Sequence, residues 1–383
     1  MSKVRYQRPL NFEKSPETDG ELRKRQEIER LIEQSVDQHL ALDVLVKLSV
    51  TPHGLVNDHL RRILWPQLAG VDVNILEQAP ALDKLQHHPE YNQVVLDVNR
   101  SLKRFPPGIP YEQRIALQDQ LTVLILRVIH KYPNLRYYQG YHDVAVTFLL
   151  VVGEEIAYAI MEHLSKTHFS ECMQETMEAT QRRLMFIWPV IKFENPELYK
   201  FLQRSTVGTL FALPWYLTWF GHSLNSYKAV VRLYDYFLAS PIYTPIFVTA
   251  AILLYRSNEI LKEDCDMASV HCLLSTLPED LPFEELLKTS NKLMNKYSLT
   301  VVEQDVEKLI YQEKKQRTAE ENMVIERRRK IPGPATANQI SSISQLLTNM
   351  FTSKSVIFTT AISIVVGVCA YYYKNQYLAA GIS

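Results

Sequence analysis

Apolar residues recur along most of this chain at the three-to-four-residue spacing of helices, and few runs alternate polar with apolar, so the pattern predicts an all-α fold. A polar arm, 1–20, carrying Pro9, Pro16 and Gly20, comes first. The stretch ELRKRQEIERLIEQSVDQHLALDVLVKLSV then sets Ile28, Leu31, Ile32 and Val36 on one face, which predicts N-terminal helices over 21–53. Beyond the break at Thr51-Pro52-His53-Gly54, GLVNDHLRRILWPQLAG predicts a helix that Asn57 or Asp58 caps. That helix buries Leu60, Ile63, Leu64 and Trp65 and leaves Arg61 and Arg62 toward solvent. Val94, Val95, Leu96 and Val98 press a further helix against the body until Pro106-Pro107-Gly108 stops it. Residues 111–132 read as a long core helix ended by Pro133, and a polar, aromatic loop over 134–143 leads into an apolar helix at 144–152. Helical spacing continues over 154–199, with breaks near Trp188-Pro189 and Asn195-Pro196.

Two stretches, 206–227 and 236–255, contain no Asp, Glu, Lys or Arg and are long enough to span a bilayer. Gly208, Pro214 and Gly221 interrupt the first, and Pro241 and Pro245 split the second, so both read as buried helices of a large globular domain rather than as membrane spans. Arg232 and Asp235, three apart between them, read as an internal ion pair. The end of the chain differs. Helices over 283–330 finish in the basic run ERRRK, and a Ser/Thr/Asn-rich linker, 331–354, predicted to be disordered, follows. Lys354 and Lys374 then bracket SVIFTTAISIVVGVCAYYY, 355–373. As a helix its 19 residues span about 28 Å, close to the roughly 27 Å core of an endoplasmic-reticulum bilayer, and Tyr371, Tyr372 and Tyr373 form an interfacial belt. This predicts a tail anchor inserted after synthesis, with 374–383 as a short lumenal tail and the helical body on the cytosolic side, where the basic residues concentrate.

Composition narrows the classes. Lys+Arg and Asp+Glu both number 42, so no global field favours nucleic acid. Cys172, Cys265, Cys272 and Cys369 form no CxxC pair and no secretory signal opens the chain, which points to a reduced compartment. Asp264-Cys265-Asp266 with His271-Cys272 invites a metal reading, but seven residues between the cysteines is also the spacing of a plain helical stripe.

The candidate chemistry lies between residues 94 and 143. Asp97 and Arg100 stand one helical turn apart, and a guanidinium so held can grip a phosphate on another molecule; the same spacing also describes an ordinary intrahelical pair. Gln139 stands beside Gly140 at a helix entrance, where its amide can face outward or cap backbone groups at the turn.

Taken in order, Leu60-Arg61 with Trp65, Asp97 with Arg100, Tyr137 with Gln139-Gly140, and Arg232 with Asp235 resemble the TBC family of Rab GTPase-activating proteins. The resemblance covers roughly 54–282, with its signatures IxxDxxR and YxQ in the expected order, and the phrases SLKRFPPG, YYQGYHDV, TWFGH and VVRLYDYFLA strengthen it. The chain departs from the commonest family wording at Tyr141-His142 and at Leu233-Tyr234.

The resemblance implies a large multi-helix TBC domain, with Arg100 as an arginine finger and Gln139 as a glutamine finger inserted into a Rab nucleotide site. It gives Asp97 the holding of the Arg100 rotamer, Tyr137 the shaping of the Gln139 loop, and Arg61, Trp65, Arg232 and Asp235 fold or interface roles. It further implies no hydrolase activity and no cofactor of the chain's own, with GTP and Mg2+ arriving on a GTP-bound Rab of endoplasmic-reticulum-to-Golgi traffic. The competing reading is a membrane-anchored Rab-binding adaptor without catalysis.

Overall fold

A computed structural model of the chain describes residues 17–75, 82–101 and 110–330, and among them there is helix and no strand. The expectations for most of the arm, for the Pro106-Pro107-Gly108 stop, for the linker 331–354, for the tail anchor 355–373 and for the tail 374–383 fall outside the described residues.

The N-terminal layer is α1 (Asp19–Gln34), α2 (Leu42–Val50) and α3 (Asp58–Leu68). Short α4 (Leu82–Gln86) precedes α5 (Tyr91–Ser101), α6 (Tyr111–Lys131), α7 (Tyr141–Val152) and α8 (Glu154–Lys166). Next come α9 (Glu178–Leu184), α10 (Ile187–Glu194), α11 (Pro196–Ser205) and α12 (Leu213–Leu217). The C-terminal part holds α13 (Tyr227–Leu238), α14 (Thr244–Tyr255), α15 (Ser257–Ile260), α16 (Met267–Ser275), α17 (Phe283–Lys296) and α18 (Leu299–Lys330).

Local chemistry sets many of these ends. Thr18 and Glu21 form a reciprocal capping box on α1, Asn57 accepts from Leu60 N to cap α3, and Asn195 caps α11 with Pro196 in its first turn. The break expected at Trp188-Pro189 lies instead at Met185-Phe186, because Pro189 sits in the first turn of α10, where its missing N–H leaves no bond unmade. Val36 is a second correction. Ser35, in extended conformation, ends α1, and Val36 stands 80 % exposed outside the helix.

The most apolar helices supply much of the core. In α7 every residue but Asp143 is buried, and α14 is buried from Thr244 to Leu253. At 12 residues, α14 is about 18 Å long, too short to cross a bilayer, and among the described residues no helix is long and apolar enough to do so. The region 206–227 folds largely as turns around α12, with Trp219 and Phe220 at positive φ. That conformation costs of order 1–3 kcal/mol per residue, offset by packing of the Trp219 ring on Phe169, Phe148, Tyr234 and Phe237.

At the other extreme, α18 buries only Val302 and Val306, and from Tyr311 to Glu326 its described side chains are all exposed.

Candidate finger site and its support

Asp97 anchors the site. Val94 and Val98 turn fully into the core from α5, which carries the Asp97 carboxylate below the surface, while Arg100 and Leu96 stay outside. A carboxylate buried to this degree must be met by donors. Gln93 Nε2 donates to Oδ1 at 3.0 Å, Arg100 Nη2 pairs with the same oxygen, and the Tyr137 hydroxyl donates to Oδ2 at 3.0 Å. The Arg100 side chain is 63 % exposed, so it is held at its root and free at its flank.

Tyr137 begins the segment that bears Gln139, and this segment is pinned at nearly every residue. Arg136 N donates to Met173 O at 2.7 Å, Tyr137 N to Glu90 Oε2 at 3.0 Å, and the Tyr138 hydroxyl to Leu217 O at 2.9 Å. Gly140 turns the chain into α7 with φ 108°, and a Cβ there would lie 2.8 Å from Thr218 Cγ2, so both conformation and space call for glycine. Between these fixed points Gln139 is exposed. Asp97 thus links the two candidate fingers, through its own bond to Arg100 and through Tyr137, two residues before Gln139.

Several supporting groups escaped the sequence reading. Gln93 lies at i−4 from Asp97, a spacing that could have exposed it; Glu90 acts across the fold. His142 Nδ1 lies 2.9 Å from the Tyr137 hydroxyl and its Nε2 3.5 Å from Asp143 Oδ1, while Asp143 Oδ2 meets His222 Nδ1 at 3.0 Å. Burial pushes the His142 imidazole below its ordinary range despite the nearby Asp143 and Asp97. Burial, reinforced by Asp97, pushes the Tyr137 phenol well above its own.

Arg61, Trp65, Arg232 and Asp235 lie elsewhere, at 6 % exposure or less, which fits a structural place rather than an interface. Arg61 does not face solvent as the pattern suggested. Its Nε and Nη2 donate to Asp235 at 3.0 Å each, and Nη1 donates to Asp58. Burial opposes the Arg61 charge, but Asp235 and Asp58 outweigh it and raise its pKa further. Trp65 Nε1 and Leu55 N complete the Asp235 shell at 2.7 and 3.0 Å. The expected Arg232–Asp235 pair does not form. Arg232 turns to Glu284 at 2.7 and 3.1 Å and to the carbonyls of Ser49 and Thr51, because Asp235 is already met by Arg61, Trp65 and Leu55 N. Arg62, exposed, donates to Val151 O.

The Cys265 region holds no built metal site: Asp266 caps α16, Cys265 precedes that helix, and among the described residues no group of three or more His, Cys, Asp or Glu could hold an ion.

The Rab-GTPase-TBC domain model matches residues 58–261. The chain is 48 % identical over 249 residues to TBC1 domain family member 20 of Homo sapiens, covering 65 % of this chain and 62 % of that protein. It thus spans less than two thirds of that relative's length. It is 31 % identical over 253 residues to the GTPase-activating protein gyp10 of Schizosaccharomyces pombe, covering 65 % of this chain and 67 % of the relative. In fold it is similar to the Ypt/Rab-GAP domain of Gyp1p, with TM-score 0.58 and 16 % identity over 73 % of this chain and 99 % of that one. The Chlamydomonas flagellar RabGAP TBC domain gives 0.51 and 15 %, over 71 % and 95 %.

Proposed function

Because this chain belongs to the Rab-GTPase-TBC domain family, we propose that it accelerates GTP hydrolysis on a Rab by lending it Arg100 and Gln139. Hydrolysis breaks the bond from the γ-phosphorus to its bridging oxygen as a water adds in line, leaving GDP and phosphate, and negative charge spreads over the transferring oxygens. The exposed Arg100 fork neutralises that charge. The Gln139 amide, accepting from the attacking water and donating to the γ-phosphoryl group, orients the nucleophile. An arginine supplied in trans is worth roughly 10³- to 10⁵-fold, about 4 to 7 kcal/mol of barrier, far above the value of a surface pair. GTP and Mg2+ belong to the partner, which binds in its GTP state.

One observation carries the reading: a single buried carboxylate seats Arg100 directly and, through the Tyr137 hydroxyl, the segment bearing Gln139. A non-catalytic adaptor has no use for that linkage. We place the action on the cytosolic face of the endoplasmic reticulum, on a Rab of early secretory traffic, through the uncharged stretch 355–373. Single-turnover phosphate release from a panel of GTP-loaded Rabs tests the proposal. Arg100→Ala and Arg100→Lys should each lose at least about a thousandfold, since lysine lacks the planar fork. Binding of a GTP-loaded Rab without acceleration by the wild-type chain would leave only the adaptor, and an accelerated rate kept in the lysine variant would remove Arg100 from the chemistry.

A further inference from the structure

The hydrogens around Tyr137 can be assigned from valence alone. Its phenol has one hydrogen and two partners, Asp97 Oδ2 at 3.0 Å and His142 Nδ1 at 2.9 Å. A carboxylate has no hydrogen to give, so the phenol hydrogen belongs to Asp97. The bond to His142 then requires an N–H at Nδ1, which donates to the phenol oxygen. In neutral His142 this leaves a bare lone pair at Nε2, 3.5 Å from Asp143 Oδ1. Asp143 takes its own hydrogen from His222 Nδ1, on the far side. The order runs one way: His142 to Tyr137, Tyr137 to Asp97, with Arg100 and Gln93 closing on the other carboxylate oxygen.

We infer that His142 is a positioning residue for the proposed reaction: as the Nδ1–H tautomer it commits the Tyr137 hydrogen to Asp97 and so keeps the seat of Arg100 and the base of the Gln139 segment in one register. Were the tautomer reversed, Nδ1 would compete with Asp97 for the one phenol hydrogen. One acceptor would be stranded in a site where Asp97 is buried and His142 is 5 % exposed. The groups facing His142 are Tyr137, Asp97 and Arg100 on one side and Asp143 and His222 on the other. Asp97 and His142 are the two that hydrogen-bond to the phenol; Asp97 can only accept, so the phenol hydrogen is uncontested when His142 Nδ1 carries its own.

This inference rests on the proposed GTPase activation, and its test separates the two. In the full chain with ¹⁵N-labelled histidine, the His142 side chain, assigned by its loss in His142→Leu, should show a protonated Nδ1 and an unprotonated Nε2 at neutral pH. Against a Rab that the wild-type chain activates, His142→Leu should lower kcat about 10- to 100-fold with KM within about twofold. His142→Asn, whose amide can donate to the same oxygen, should restore most of it, and thermal unfolding of each variant identifies one that has merely lost its fold. An Nε2–H tautomer, or a leucine variant that turns over as fast as wild type, overturns the assignment. Inactivity of the wild-type chain on every Rab overturns the activation itself and the role with it; the spectrum then still decides the hydrogen-bond order.

Discussion

At Asp97 the cost of any change is set by how many donors lose their acceptor. Asp97→Asn keeps the shape but brings an amide to face Arg100, Gln93 and Tyr137, all of which donate. Phosphate release should fall about 10- to 100-fold through misplacement of Arg100, and denaturant titration should show about 1 to 3 kcal/mol less stability. Gln139→Ala should behave differently, because an exposed side chain holds little of the fold: activity falls while the melting temperature stays put. Asp235 gives the contrasting case of a charge with no part in the chemistry. Its oxygens accept from Arg61, Trp65 and the Leu55 amide, so Asp235→Ala leaves the buried Arg61 guanidinium with only the Asp58 carboxylate beside it, strips two further donors of their acceptor, and should cost about 3 to 5 kcal/mol.

Among the elements, the segment entering α7 shows how a flexible residue can serve a rigid site. Gly140→Ala meets both a positive φ and the Thr218 methyl, whereas Gly153→Ala, at φ 84° with open space, meets the first alone. Both should melt lower, Gly140→Ala by more, and the difference measured by thermal unfolding reports the Thr218 contact. Such local demands were readable in the sequence: Gly140 at a helix entrance, Asn57 as a cap, Asp97 and Arg100 one turn apart, and prolines cutting the uncharged stretches below bilayer length. What the sequence hid were choices between partners far apart along the chain. Arg232 and Asp235 share a helix turn yet bond across 52 and 174 residues, because a buried charge takes whichever partner tertiary packing brings, not the nearest in sequence. His222 reaches Asp143 across 79 residues, which no local pattern announces. Val36 matched a helical stripe, but the chain had already left the helix.

For the molecule as a whole, acid should be the weak side. Burial pushes His168 down to about 4 from an ordinary 6.5, and burial also lowers His142, His88, His163 and His271. Below about pH 6.5 the unfolded chain takes up protons that the folded chain refuses, so stability falls as pH drops from there toward 4. His168 alone contributes on the order of 2 to 3 kcal/mol across that window. Urea midpoints at neutral pH and near pH 5 should show the loss, and His168→Phe should flatten it. The opposite holds for α18 beyond Tyr311, where every described side chain is exposed. Ending the chain after Tyr311 should leave the melting temperature and the turnover of a Rab free in solution unchanged. The other boundary is less forgiving. The family match runs over 58–261, yet Arg232, inside it, spends its hydrogens on the Ser49 and Thr51 carbonyls and on Glu284, all outside it. A fragment excised at the matched limits would lose those acceptors together with Leu45, Leu48, Leu286, Leu287 and Leu293, which complete the core, and would bare the apolar faces they cover, so the smallest autonomous folding unit must reach from before Ser49 to beyond Glu284.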